Sequence, residues 1–157
     1  MTSNLNIVLY APEIPQNTGN IGRTCYLTMS SLHLIEPLGF RLSEKAVRRA
    51  GLDYWSRLDV RVHPSLEAFL RYADTDRIFP ATTKAARPYT EACFRQGDYI
   101  VFGRESAGLP APFLEAYRDR AVRIPMHPRT DRSLNLSNAA AVILYEALRQ
   151  MDFAGLK

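Results

Sequence analysis

Three polar stretches of this chain hold residues that could grip a small molecule and act on it. The first is Asn17-Thr18-Gly19-Asn20-Ile21-Gly22-Arg23-Thr24. Its small residues allow close backbone approach, and a helix beginning there offers free N–H groups. The spacing is neither the dinucleotide G-x-G-x-x-G nor a P-loop, since no Gly-Lys-Ser/Thr follows. Read alone, it is more simply a capped helix with a solvated Arg23. The second is Phe102-Gly103-Arg104-Glu105-Ser106-Ala107-Gly108-Leu109-Pro110. Two glycines permit a sharp turn, and Pro110 suits a helix's first turn. Glu105 is an acceptor for a ligand or for neighbouring N–H groups; the ordinary alternative is a connector with a surface carboxylate. The third runs from Ile124-Pro125-Met126 to Arg132-Ser133-Leu134-Asn135-Leu136-Ser137-Asn138, followed by Ala139–Ala141. One of its four Ser/Asn side chains must cap the helix that follows, and four exceed what one cap needs.

The elements that must position these stretches alternate. Strands are predicted at Asn6–Tyr10, Leu32–Glu36, Val60–His63, Arg77–Thr82, Tyr99–Phe102 and Ala121–Ile124. Helices are predicted at Asn17–Ser30, Ser43–Ala50, Ser65–Tyr72, Pro110–Tyr117 and Leu136–Met151, with Ser43 and Ser65 as N-caps. This alternation implies an α/β fold, a mostly parallel sheet with helices on both faces. The Gly- and Pro-bearing stretches then fall at strand ends, where such sheets bind ligands. The 157 residues, with no repeat, low-complexity tract or linker, predict a single domain over 1–157.

Composition narrows the partners. With 20 Lys+Arg against 16 Asp+Glu the formal charge is +4, which permits nucleic-acid binding without demanding it. The visible basic cluster is Arg41, Lys45, Arg48 and Arg49, a phosphate-contact candidate or a solvated helix face. No apolar run reaches the ~18 residues of a membrane span, and the N-terminus does not read as a signal peptide. Cys25 and Cys93 form no CxxC pair, and His33, His63 and His127 form no convincing ligand cluster, so neither a metal site nor a disulfide framework is expected. A reducing cytoplasm is the expected compartment.

Taken together, in this order and spacing, the three stretches resemble the three motifs of the SPOUT superfamily of RNA methyltransferases. The likeness includes APEIPQNTGNIGRT, IEPLGF, RRAGLDYW and TTK, and runs from about Asn6 to Gln150. It is greatest to the group that methylates the ribose 2′-hydroxyl of the tRNA wobble nucleotide, position 34, cytidine or uridine.

The resemblance implies a C-terminal trefoil knot, which breaks the rule that chains avoid threading. It implies S-adenosylmethionine, without metal, held by Ala81, Thr82, Gly103, Glu105, Ile124, Met126, Ser133 and Leu134. Gly103 is expected to leave room for that cofactor. Arg23 matches the functional arginine of the ribose-methylating enzymes. Because a guanidinium is a poor base, its expected role is to stabilise the developing alkoxide and grip a phosphate. Asn17 and Asn135 would orient substrate or Arg23, Ser133 and Ser137 would hold loop and cofactor, and Glu105 would fix its loop and help position Arg23. The family works as a homodimer on tRNA, and Tyr145 is the candidate interface residue, or else a partly buried core tyrosine. The rival readings are a SPOUT enzyme acting on another tRNA or rRNA nucleotide, and a silent RNA-binding knot protein. An unrelated nucleotide-binding α/β protein is disfavoured by the missing phosphate loop.

Overall fold

The computed structural model describes residues 3–42 and 53–157. The predicted helix Ser43–Ala50, with Lys45, Arg48 and Arg49, lies outside the described residues.

Five short apolar runs form one all-parallel sheet in the order β3-β2-β1-β5-β4, with β1 Asn6–Tyr10, β2 Ser31–Ile35, β3 Val60–His63, β4 Ile78–Ala81 and β5 Tyr99–Phe102. Helix α1 is Pro15–Leu27, α2 Leu66–Tyr72, α3 Ala111–Ala116 and α4 Leu136–Gln150. Alternate side chains of each strand feed opposite layers. Ile7, Leu9, Ile100 and Phe102 pack into a core with Ile21 and Cys25 of α1 and Ile143, Leu144, Ala147 and Leu148 of α4. Val8, Val101 and Ile78 face Phe69 of α2 and Phe113 of α3. Both faces are therefore covered, as a parallel sheet requires. Ser65 caps α2 by accepting the N–H of Ala68 at 3.1 Å.

The predicted sixth strand, Ala121–Ile124, is not a strand. Val122 N–H donates to Pro80 O at 2.8 Å and Val122 O accepts from Thr82 N–H at 2.9 Å. One residue later the partner changes: Arg123 N–H donates to Arg87 O and its own O accepts from Tyr89 N–H, at 2.9 and 2.8 Å. A segment that switches partner after one residue makes two isolated bridges and no ladder. It lies between 80–82 and 87–89, bonded to both sides of the loop that joins them.

The sheet's order reverses between β1 and β5, so their carboxyl ends diverge and open a crevice. Elsewhere the sheet is sealed. Buried Asp98 accepts both Arg77 Nε–H and Nη2–H at 2.7 Å, and the Arg95 N–H at 2.7 Å.

Two histidines that looked unrelated in sequence meet under α2. His33 Nδ1 lies 3.0 Å from His63 Nε2, and His33 Nε2 lies 3.0 Å from Asn6 Oδ1. Asn6 Nδ2–H donates to Gly97 O, which fixes its amide and leaves Oδ1 as acceptor. His33 must then carry its proton on Nε2 and accept from His63 Nε2–H, so both rings are neutral. Burial, reinforced by the neighbouring His63, drives the His33 pKa down to about 3, and burial lowers that of His63. Because the folded values lie below the ordinary ~6.5, this stability is complete above pH 6.5 and is lost as pH falls below it. The urea midpoint is expected to drop between pH 7.5 and 5.5, His33 alone contributing roughly 1 kcal/mol of that loss. In His33→Gln this part of the pH dependence should disappear.

Candidate active site

The loop after β1 and the loop after β5 are tied by two carboxylates working in opposite directions. Glu105 Oε2 accepts the Glu13 N–H at 2.9 Å, and Oε1 accepts the Ile14 N–H at 3.1 Å and Asn17 Nδ2–H at 3.2 Å. In return, Glu13 Oε1 accepts the N–H of Ser106 at 3.1 Å and its O–H at 2.6 Å. These two Ser106 bonds, led by the hydroxyl, hold the Glu13 pKa below the usual carboxylate value. The reason for the first half lies in the sequence. Ile14, at the N-cap of α1, has no side-chain acceptor, and Pro15 begins the helix without an N–H. A carboxylate from elsewhere must supply the missing negative charge at that helix end.

From Glu105 the network runs inward. Buried Asn17 accepts Asn135 Nδ2–H on Oδ1 at 3.0 Å. Asn135 caps α4, its Oδ1 accepting the Ser137 N–H at 2.9 Å and O–H at 2.5 Å. Glu105, Asn17, Asn135 and Ser137 thus form one hydrogen-bonded chain joining α1, the β5 loop and α4.

Above this chain opens a cavity of about 470 Å³, within the ~300–1,000 Å³ typical of small-molecule sites. Ala81 and Thr82 end β4 on one side, and Gly103 and Glu105 follow β5 on another. Ile124, Met126, Ser133 and Leu134 supply the remaining wall. All eight residues expected to touch a cofactor line this one cavity, and Asn17 and Asn135 line it too. Arg104, which sequence reasoning passed over, also lines it; its guanidinium sits over the Tyr10 ring and its buried Nε–H has no protein partner. Among the described residues no group of three His, Cys, Asp or Glu is placed to hold a metal.

Gly103 needs a reason other than room for a cofactor. A Cβ there would lie 2.3 Å from the carbonyl carbon and 2.5 Å from the Cα of Gly108. The loop's own backbone fills the space, because Gly108 N–H turns back to Arg104 O at 2.9 Å with Gly108 at φ +67°.

Arg23 stands apart. It is exposed, does not line the cavity and makes no hydrogen bond or ion pair among the described residues. Six residues along α1 from Asn17 correspond to about 9 Å of rise and about 240° of rotation. Arg23 therefore lies on the outer stripe Gln16, Asn20, Arg23, Leu27. Tyr145 is 45% exposed beside Val142 on α4, which packs on α1. Arg41 is exposed; the other three basic candidates lie outside the described residues. Besides Arg104, sequence reasoning missed Glu13 and Ser106, whose only sequence signal is that Ile14-Pro15 cannot cap a helix alone.

Removing the clamp has a measurable cost. Glu105→Ala leaves three N–H donors without their acceptor, and is expected to destabilise the fold by about 1–3 kcal/mol in chemical denaturation. Glu105→Gln keeps one acceptor oxygen and should fall between.

The model of the SpoU rRNA Methylase family matches residues 4–145. A protein of Saccharophagus degradans named tRNA (cytidine(34)-2′-O)-methyltransferase is 51% identical over 97% of this chain and 99% of its own length. The Escherichia coli (strain K12) protein of the same name is 49% identical over 96% of each. A solved structure described as giving structural insights into 2-OH methylation of C/U34 on tRNA superposes with TM-score 0.87 at 48% identity, covering 95% of this chain and 97% of that one. A family match spanning nearly the whole chain, carried on a site whose three stretches converge on one cavity, places this protein in the SpoU rRNA methylase family.

Proposed function

We propose that this chain methylates the ribose 2′-hydroxyl of nucleotide 34, cytidine or uridine, of tRNA, using S-adenosylmethionine. The observation that carries the reading is the near-full-length identity to proteins named for that reaction. The cavity supports it. Ile124, Met126 and Leu134 offer apolar cover for a flat ring, strand-end backbone around Ala81 and Gly103 offers donors and acceptors for its edge, and Arg104 offers a buried Nε–H with no hydrogen-bond partner among the described residues. S-adenosylmethionine held there would supply an electrophilic methyl group on a cationic sulfur; the ribose oxygen would take that methyl, the sulfur would leave as a neutral thioether, and the hydroxyl proton would pass to solvent water.

The chain's own residues align and stabilise. Glu105, Asn17 and Asn135 fix the cavity walls so that oxygen, carbon and sulfur can lie in line. Arg23 stabilises the oxygen as negative charge grows and grips a phosphate. Its place on the outer stripe of α1 fits a homodimer in which each Arg23 serves the partner's cavity. The half-exposed Leu27, Val142 and Tyr145 supply apolar area for that interface. The segment 121–124, bonded to 80–82 and to 87–89, supports the reading of a C-terminal trefoil knot. No metal takes part, the molecule acts as one domain, and it works in the cytoplasm. Among the described residues no helix is long and apolar enough to cross a membrane.

Labelled methyl transfer to total tRNA, followed by nuclease mapping, should place the label on the ribose of nucleotide 34; label on a base or elsewhere in the tRNA overturns the reading. EDTA should leave calorimetric cofactor binding unchanged. Arg23→Ala is expected to lower turnover by about 10²–10³ with cofactor affinity intact. Mixed dimers of Arg23→Ala with Leu134→Arg, whose cavity is blocked, should regain activity, since one of their two sites has both an intact cavity and an intact Arg23. An inactive mixed dimer would place Arg23 at its own chain's cavity.

A further inference from the structure

The side of α1 away from the cavity carries a second built surface. Gly22 lets the segment 53–58 press onto the helix. Buried Tyr54 donates its O–H to Gly19 O at 2.6 Å, and a Cβ on Gly22 would lie 2.8 Å from the Trp55 ring. This seating brings three planar groups together. The Tyr26 ring stacks on Tyr54 with centroids 5.5 Å apart and planes 23° from parallel. The Arg57 guanidinium lies over the Tyr26 ring, 5.0 Å from its centroid. Beside them is a recess of about 270 Å³ walled by Tyr26, Met29, Arg57, Leu58 and Arg61. Asp59, the carboxylate at this recess, is engaged by Ser31 O–H at 2.6 Å and by Arg61 at 3.4 Å. Arg57 is exposed and has no carboxylate partner among the described residues.

We propose that Tyr26, Arg57 and the adjoining recess form a station for an unpaired nucleotide of the RNA substrate that neighbours the methylated one. This rests on the RNA-methyltransferase reading of the cavity. An exposed cation held over an aromatic ring suits a ligand with a π-face and an anionic group close together, which is the chemistry of a nucleotide. Unpaired RNA recognition works this way, with bases stacked on aromatic rings or guanidinium planes. A duplex hides those faces. The position is also right. Tyr26 is three residues from Arg23, so the two are neighbours on one side of the helix. A strand whose ribose meets Arg23 therefore passes within reach of Tyr26 and Arg57. A protein partner is disfavoured, because among the described residues Met29 is the only large apolar side chain of the recess that is more than half exposed.

The test is fluorescence anisotropy with a labelled anticodon stem–loop RNA, alongside steady-state methylation of tRNA. Arg57→Ala and Tyr26→Ala should each weaken stem–loop binding about tenfold, raise KM for tRNA and leave kcat and cofactor affinity near wild type. The salt dependence of binding should fall by about one phosphate contact in Arg57→Ala. Arg57→Lys should restore the salt dependence but only part of the affinity, because the plane is lost. Tyr26→Phe should bind like wild type. Folded alanine variants that bind within twofold of wild type overturn the station, as does a loss confined to kcat. If wild type binds the stem–loop and the variants weaken it while no methyl is transferred, the station stands and the reading of the cavity fails. If wild type methylates and the variants bind and turn over unchanged, the cavity reading stands and the station fails.

Discussion

The site depends on one electrostatic requirement: α1 begins where its own sequence supplies no acceptor. Ile14 and Pro15 leave the helix end uncapped, and Glu105, 92 residues beyond Glu13 in sequence, supplies the charge. Glu13 answers by holding Ser106. The exchange locks the β1 loop to the β5 loop across the crevice that the sheet opens between them. Asn17 is then held where it receives Asn135, and α4 is capped in the same act. Each group satisfies another's need, which is why buried Asn17 can sit at the cavity wall at little net cost.

Much of this was legible in the sequence. Five strand positions follow from apolar runs bounded by turn residues, and the four described helices start within two residues of where capping residues or prolines place them. The crowd of Ser133, Asn135, Ser137 and Asn138 signalled more than a cap, and Asn135 is indeed both cap and link to Asn17. What was not legible is whatever depends on the third dimension. Ala121–Ile124 has strand composition, yet Val122 and Arg123 choose different partners. The same composition serves a continuous ladder and a pair of isolated bridges alike. Gly103 reads as a ligand-facing glycine until its clash with Gly108 is seen. The His33–His63 pair, 30 residues apart, arises only from the register of β2 on β3.

Helix α1 divides its labour by face. Its buried Ile21 and Cys25 pack in the core, Asn17 points to the cavity, Gly22 admits the 53–58 segment, and Arg23 and Leu27 look outward. A glycine in a helix costs about 1 kcal/mol relative to alanine. At Gly22 that loss is offset by the close seating of Trp55, which a side chain there would obstruct.

The hydrogen bond between Asn17 and Asn135 spans 118 positions of the chain. Its consequence concerns the order of synthesis. A ribosome releases the first motif early, and domains begin folding from that end as the chain emerges. The polar network that walls the cavity stays open until Asn135 and α4 have been made. Chains truncated upstream of that residue would keep Arg23 while lacking Ser133, Leu134 and Asn135. Interrupted translation products of that length therefore lack a completed cavity wall.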